Sequence, residues 1–189
     1  DPTRVICVFD GQGSSMNRKN INPEYKAQRV NKRISNWDMF DNKEDEFASM
    51  TMQMHRLVEY LQCLPTTLIS MDKVEADDII SFLAQGFGSK GHRVTIVSSD
   101  KDFLQVVDDN VEVYSPIKKK IYKKRDVAEE LGMIPENYLI VKSLLGDNSD
   151  NLTGVKGLGI KTILKEFPGI INDPNFNLES IFSICEEKL

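Results

Sequence analysis

Short apolar runs alternate along the chain with longer stretches in which apolar residues recur at helical spacing. Runs rich in β-branched residues at 5–9 (VICVF), 66–70 (TTLIS) and 93–99 (RVTIVSS) predict three strands. VEVYS at 111–115 and KIYKK at 120–124 predict a hairpin. Strands that alternate with helices indicate a mostly parallel sheet flanked by helices, so the predicted fold class is α/β.

Helical periodicity predicts the remaining elements. The longest such stretch runs from about residue 37 to 62 and ends before Pro65. A second amphipathic helix starts at Glu75, with acidic residues in its first turn where the helix dipole favours them. Shorter helices are predicted at 102–107, at about 126–132 and 136–145, and after the loop at 173–175.

Acidic residues follow each of the three strands, at the edge where open α/β sheets bind their ligands. These residues are Asp10, Glu75, Asp77, Asp78, Asp100 and Asp102. Each group alone is compatible with ordinary turns and helix caps. Together they would repel one another unless cations lie among them, and carboxylate oxygens favour Mg²⁺ or Mn²⁺ over zinc. The pattern therefore predicts a metal site, typical of enzymes that clamp a phosphodiester between two ions.

The composition is that of a globular protein, with 40% hydrophobic and 28% charged residues in 189. The chain has no apolar run of about 18 residues and no signal-peptide pattern. Its three cysteines, Cys7, Cys63 and Cys185, form no CxxC motif. We therefore expect a cytoplasmic protein with no membrane partner, whose cysteines are small core residues.

The net charge of −5 argues against a nucleic-acid partner, but the charge is unevenly distributed. Residues 118–125 (KKKIYKKR) hold five lysines and one arginine, and the stretch 154–165 has three lysines and no acid. Such a chain could hold metal on its carboxylates and a polyanion on its basic stretches. The first basic stretch could equally serve solubility alone.

Six motifs occur in the order found in the structure-specific 5′ nucleases. They are Asp10, YKAQR (25–29), EADD (75–78), SSDKDF (98–103), GDNSDN (146–151) and GVKGLGIKT (154–162). The chain thus resembles flap endonucleases, phage 5′-3′ exonucleases and the 5′-nuclease domain of bacterial DNA polymerase I. The resemblance implies a PIN-like 5′-nuclease core at 1–143 with a helical arch at about 20–62. It also implies a helix–three-turn–helix DNA-binding region at 144–189.

The resemblance implies two Mg²⁺ or Mn²⁺ ions. The first would be surrounded by Asp10, Glu75, Asp77 and Asp78, and the second by Asp100, Asp102, Asp147 and Asp150. By the same resemblance, Lys26 and Arg29 are catalytic residues on the scissile phosphate, where negative charge develops. Tyr25 would stack on a base and Arg18 would contact a phosphate.

Residues of GVKGLGIKT would bind duplex phosphates, because glycines let backbone N–H groups approach a phosphate at a helix N-terminus. These residues are Gly154, Lys156, Gly157, Gly159, Lys161 and Thr162. In the family a K⁺ ion assists this contact.

The implied function is a metal-dependent 5′ nuclease that cuts branched or 5′-ended DNA in replication and repair. Its partners would be 5′ flaps, 5′ ends, RNA primers on DNA and replication proteins, and the protein would be a monomer in a bacterial or phage-infected cell. Family members also have an earlier strand that ends in Asp-Gly and further helices at the other end. This chain shows no counterpart of either, so we expect it to be the central core of a nuclease.

Two alternative functions remain open from the residues. A DNA-junction-binding module of nuclease ancestry would lack cleavage, and the absent first aspartate favours it. A Mg²⁺-dependent phosphohydrolase of small substrates would also suit Asp-Gly after a first strand. Neither YKAQR nor the helix–three-turn–helix would have a purpose in a small-substrate enzyme, so the nuclease is the preferred interpretation.

Overall fold

A computed structural model describes residues 2–28 and 38–188. The chain forms two compact units, Asp1–Ala76 and Asp77–Leu189. The resemblance to the 5′ nucleases implied a division at residue 143, which stays a prediction.

The first unit contains a pair of parallel strands. β1 (Val5–Asp10) pairs with β2 (Thr66–Met71), so that Asp10 lies opposite Met71 at the carboxyl ends of both strands. Both strands were predicted, and their parallel pairing is confirmed. Between them lie α1 (Met16–Ile21), which was not predicted, and α2 (Lys43–Gln62).

Helix α2 begins several residues later than predicted. The Asn42 side chain caps it by accepting a hydrogen bond from the backbone N–H of Asp45 at 2.8 Å, and three acidic residues follow in the first turn. No residue of α2 is buried, and Phe47 and Met50 are 71% and 53% exposed. The apolar spacing thus predicted the helix but not a buried face.

The second unit contains a three-stranded sheet. After α3 (Ala76–Gly88) come β3 (Val94–Val97), β4 (Val111–Ser115) and β5 (Lys120–Tyr122). β3 and β4 are parallel, whereas β4 and β5 form the predicted antiparallel hairpin. Strands alternating with helices confirm the α/β class.

Helices and a small hairpin complete the second unit. The α-helices are α4 (Lys124–Leu131), α5 (Tyr138–Leu145), α6 (Ile160–Glu166) and α7 (Leu178–Glu187). Short 3-10 helices lie at Lys101–Val106, Pro135–Asn137 and Pro168–Ile171. Between α5 and α6, β6 (Gly146–Asp147) pairs with β7 (Leu152–Thr153). The stretch predicted as one helix at 136–145 is therefore a 3-10 turn followed by α5.

Two apolar clusters hold this unit together. One surrounds β3, β4 and the first 3-10 helix, where Leu104 and Val113 are almost completely buried. The other lies under α5, α6 and α7 and includes Val141 and Ile163. Since α5 also packs against the 3-10 helix at Lys101–Val106, its following loop is held beside that helix.

Two expectations from composition can be compared with the structure. Among the described residues, none of the helices is both long and apolar enough for a membrane crossing. Cys63 and Cys185 are exposed and Cys7 is only partly buried, so the prediction that the cysteines are core residues is wrong. Cys63 lies at the C-cap of α2, a helix with no buried residue.

Candidate metal centre and nucleic-acid interface

Glu75 is the centre of a charged cluster in the first unit. Its side chain is 7% exposed, and three donors satisfy the carboxylate. Arg18 Nη1 lies 2.7 Å from Oε2, Lys26 Nζ lies 2.8 Å from Oε1, and the Tyr25 hydroxyl donates to Oε2 at 3.1 Å. A buried carboxylate requires such compensation. The structure therefore joins one predicted metal ligand to three residues predicted to contact nucleic acid.

Both cations of this cluster lie against the Tyr25 ring. It is 5% exposed, with Lys26 Nζ 4.9 Å and the Arg18 guanidinium 5.8 Å from the ring centroid. These contacts fix where the two positive charges lie relative to Glu75. The base-stacking role of Tyr25 stays a prediction.

Lys26 is held in an unusual backbone conformation, with φ of 55° in the left-handed region. Burial acts to lower its pKa, but the hydrogen bond to Glu75 and the contact with Tyr25 outweigh burial and raise it. The ammonium is therefore charged at neutral pH. Strained backbone in a charged cluster is often associated with a functional site. Arg29, the other predicted catalytic residue, lies outside the described residues.

Asp10 caps the start of α3 beside Glu75. Its Oδ1 accepts a hydrogen bond from the backbone N–H of Ala76 at 2.8 Å. The chain can turn after Asp10 because the next residue is Gly11, where an added Cβ would lie 1.8 Å from the Met71 carbonyl oxygen. Asp77 and Asp78 occupy the first turn of α3, as predicted.

In the second unit, Lys142 connects two predicted metal ligands. Its Nζ donates to Asp102 Oδ1 and to Asp147 Oδ2, the latter at 2.7 Å. Burial acts to lower the pKa of Lys142, but the two carboxylates outweigh it and raise the pKa well above its ordinary value. The hydrogen bonds from Lys142 and Ser149 hold the pKa of Asp147 far below its ordinary value. Lys142 and Asp147 are therefore both charged at neutral pH.

The two oxygens of Asp147 have different partners. Oδ1 accepts from the Ser149 backbone N–H at 2.8 Å and from its hydroxyl at 2.6 Å, and more weakly from the Asp150 N–H at 3.3 Å. Oδ2 binds Lys142. One oxygen thus builds the turn between β6 and β7 while the other is directed at a cation. Asp150 lies within the same turn.

Asp100 adjoins this cluster. Its Oδ1 accepts from the Asp102 N–H at 2.9 Å and so begins the 3-10 helix. The pKa of the Tyr138 phenol is raised, chiefly by burial. The charge of Lys142 opposes this shift, and the negative charges of Asp102, Asp147 and Asp100 add to it. Three of the four predicted ligands of the second ion are thus near enough to influence one phenol.

The chemistry of these oxygens suits a hard divalent cation. Mg²⁺ in proteins is commonly held by one or two carboxylates, with water and substrate phosphate completing its shell. Asp102 and Asp147 meet this requirement, since one ammonium touches both. Within residues 2–28 and 38–188, no three His, Cys, Asp or Glu side chains are close enough to ligate one ion. Lysine and arginine contact several of these carboxylates, and the full ligand sets stay a prediction.

The residues of GVKGLGIKT form the connection between β7 and α6 and the first turn of α6. An added Cβ on Gly154 would lie 2.1 Å from the Leu145 carbonyl, so this glycine is needed for close packing. Gly157 has φ of 83° in a turn, and Gly159 precedes α6 with open space around it. Lys156 and Lys161, like Thr162, are exposed. The phosphate-binding role of this segment stays a prediction.

The basic hairpin β4–β5 has its own acidic partner. Lys118 and Lys120 lie 3.3 and 3.4 Å from the two Glu130 oxygens and 5.5 and 4.5 Å from the Tyr122 ring centroid. Lys101 lies 3.8 Å from the same glutamate. Three lysines therefore surround one carboxylate, which leaves an excess of positive charge.

Comparison with known proteins places the chain in a family. Residues 1–132 match the model of the 5′-3′ exonuclease N-terminal resolvase-like domain, which covers more than half of the 189 residues. The chain belongs to the 5′-3′ exonuclease family. The family resemblance inferred from the six motifs is thereby confirmed.

Relatives of this exonuclease family include a 5′-3′ exonuclease of Buchnera aphidicola, 35% identical over 184 residues, with 96% of this chain and 58% of the relative covered. DNA polymerase I of Mycobacterium bovis is 35% identical over 168 residues, which cover 87% of this chain and 17% of the polymerase. The chain spans about half the length of the 5′-3′ exonucleases that it matches.

A solved flap endonuclease of bacteriophage T5, in a pseudo-enzyme-product complex with DNA and metal ions, is 25% identical with a TM-score of 0.71. The match covers 87% of this chain and 60% of that one. The 5′-nuclease fold expected from the sequence is thus confirmed.

Sequence reasoning missed two residues of the second cluster, Lys142 and Tyr138. Both lie on α5 at i and i+4 and therefore on one face of the helix. That spacing, just before GDNSD, was the available signal. The apolar pattern of α5 otherwise describes a core helix, in which a lysine and a tyrosine do not by themselves indicate a site.

Proposed function

We propose that the protein carrying this chain is a metal-dependent 5′ nuclease. It would act as a 5′-3′ exonuclease and flap endonuclease on branched or 5′-ended DNA, including RNA primers on DNA, by a two-metal mechanism. The observation that carries the proposal is the pairing of Asp102 and Asp147 around one cation. A family relative is named a 5′-3′ exonuclease, and the solved flap endonuclease of similar fold holds DNA and metal ions.

Asp10 and Glu75 would hold one Mg²⁺ or Mn²⁺ ion with Asp77 and Asp78. Asp100, Asp102, Asp147 and Asp150 would hold the other. When bound, such ions polarise a phosphoryl oxygen and lower the pKa of a water molecule. The protein's own contribution is the turn that leaves Asp147 Oδ2 for a cation and the end of β1, where Asp10 is held by its hydrogen bond to the start of α3.

Arg18 and Lys26 would supply positive charge to the scissile phosphate. Glu75 and Tyr25 hold both cations in place before substrate arrives, so little reorganisation is needed when negative charge grows on the phosphate. Arg29 is proposed to act with them from sequence alone. The resulting catalysis is largely electrostatic.

DNA would be held mainly through its backbone. Lys156, Lys161 and Thr162, with backbone N–H groups near Gly157 and Gly159, would contact the duplex, assisted by K⁺. Gly154 contributes by letting the chain turn into this segment. Replication proteins as partners and a monomeric state remain part of the proposal.

The test is cleavage of a labelled 5′ flap in Mg²⁺ by the whole protein in which this chain occurs. Asp100→Asn and Asp147→Asn should abolish cleavage while Kd for DNA changes by less than about tenfold. Asparagine can keep the Oδ1 acceptor for Ser149, but it replaces Oδ2, the oxygen that binds Lys142, with an uncharged NH₂ group.

Asp173→Asn is the matched control, because Asp173 also accepts a backbone N–H, from Asn175, in an ordinary turn. It should cleave normally. Near-normal turnover by Asp147→Asn would remove that residue from the site. Wild-type binding without any cleavage would favour the junction-binding module.

A further inference from the structure

Lys142 sits where a cation is needed between two acids. Its side chain is 22% exposed, and Asp147 is 18% exposed. The ammonium donates to one oxygen of each of Asp102 and Asp147. Because Asp102 and Asp147 share one ammonium, their carboxylates would repel each other strongly if that positive charge were removed.

The oxygens that bind Lys142 are also the ones a divalent ion would use. Asp147 Oδ1 accepts hydrogen bonds from Ser149 within the turn, so Oδ2 is the oxygen that remains for a cation. An ion bound to Asp102 Oδ1 and Asp147 Oδ2 would take the position of the ammonium. Lysine has a flexible four-carbon stem and a compact charge, which suits it to leave and return.

We propose that Lys142 is an internal counter-cation that holds Asp102 and Asp147 together without metal and that a divalent ion displaces. The inference rests on the proposed function, because it takes these two aspartates as ligands of the second ion. It adds that metal binding at this site is an exchange of one cation for another. The carboxylates are consequently in position before the ion arrives.

If a divalent ion displaces Lys142, the variant Lys142→Met should lose stability without metal and gain affinity for the metal. Without metal, the variant should be less stable than the wild type, because two facing carboxylates lose their shared cation. With metal, it should bind the ion more tightly, because no ammonium competes for the oxygens. A lysine with a purely structural role would produce only the first effect.

The experiment measures Mn²⁺ affinity from the free-ion signal in electron paramagnetic resonance, and thermal unfolding in EDTA and in excess Mg²⁺. Lys142→Met should bind Mn²⁺ about fivefold or more tightly than the wild type. Its Tm should be lower in EDTA, and excess Mg²⁺ should close most of that gap. Lys142→Gln, which keeps a polar end, is the second variant if the methionine impairs folding.

Lys101→Met is the matched control for a general loss of nearby positive charge. Lys101 follows Asp100 directly but pairs with Glu130 at 3.8 Å. It should alter Mn²⁺ affinity by less than about twofold.

The exchange is wrong if both Lys142 variants bind Mn²⁺ as tightly as the wild type or more weakly. It is also wrong if Lys101→Met gains as much Mn²⁺ affinity as the Lys142 variants. Flap cleavage by the wild type then separates the two ideas. If the wild type still cleaves in Mg²⁺, only the exchange is wrong, whereas absence of both cleavage and Mn²⁺ binding removes the proposed function as well.

Discussion

At the residue scale, each charged cluster pairs carboxylates with the protein's own cations. Arg18 and Lys26 share Glu75, and Lys142 is shared by Asp102 and Asp147. In the first cluster the buried Glu75 carboxylate thus fixes the positions of two cations.

Lys26 should act in catalysis more than in affinity. A cation on the scissile phosphate is most useful where charge grows in the transition state, and loss of such a group typically costs about 100- to 1000-fold in rate. Lys26→Ala should therefore lower the single-turnover rate by about two orders of magnitude and change Kd less than about tenfold. Quenched-flow cleavage of a labelled flap and a binding titration measure the two quantities.

The exposed Lys19 provides the control for this variant. Lys19→Ala removes the same charge from the same region and should leave the rate unchanged. If rate and affinity fell together in Lys26→Ala, or neither moved, the residue would be a surface charge rather than a catalytic one.

The position of carboxylates after strands predicted Glu75 and Asp102, whereas Asp147 was implied only by the resemblance to the 5′ nucleases. Sequence alone could not predict how each carboxylate is compensated. Lys142 lies among apolar residues of α5, and its partner Asp102 is 40 residues away. Only packing of α5 against the 3-10 helix brings the two together.

At the element scale, the connection from α5 to α6 has one part that packs closely through glycines and another that carries exposed lysines. Gly146 and Gly154 let β6 and β7 pass closely, since an added Cβ on either would meet backbone within 2.3 Å. Lys156 and Lys161 lie beyond that crossing and are exposed. The turn can therefore form without these lysines.

Alanine at both Lys156 and Lys161 should weaken duplex binding and reduce its salt dependence. Each lost phosphate contact lowers the slope of log K against log salt by about 0.9, so the double variant should lose about 1.8. Binding titrations between about 50 and 200 mM salt give the slope. Lys188→Ala is the control, because Lys188 pairs with Glu166 at 2.6 Å. An unaltered slope in the double variant would leave GVKGLGIK as a structural turn.

Elements with a clear apolar or β-branched pattern were predictable, and elements without one were not. β1, β2 and the β4–β5 hairpin follow from β-branched runs, whereas α1, with six residues and no buried side chain, shows no apolar pattern. The Asn42 cap sets the start of α2. The apolar spacing had predicted that start about six residues too early. The spacing of apolar residues could not show that the apolar face of α2 is exposed, because buried and exposed apolar faces of a helix have the same periodicity.

At the scale of the whole molecule, the net charge of −5 conceals local compensation. Among the described residues, every buried side-chain nitrogen or oxygen has a hydrogen-bond partner. The Glu75 carboxylate is satisfied by three donors of the same unit, and Lys142 is shared by Asp102 and Asp147. The protein's own groups therefore balance these three carboxylates.

This balance predicts that divalent ions are needed for cleavage but not for folding. A structural metal contributes folding energy directly, so that chelation unfolds the protein. Here Glu75, Asp102 and Asp147 already have cationic partners, and the ions would only replace or join them. In excess EDTA the protein should keep its far-UV circular dichroism and melt cooperatively, and excess Mg²⁺ should raise Tm by less than about 10 °C. Flap cleavage should vanish in the same EDTA sample and return when Mg²⁺ is added. Loss of secondary structure in EDTA would show that the protein's cations do not suffice, and the ions would then be part of the fold.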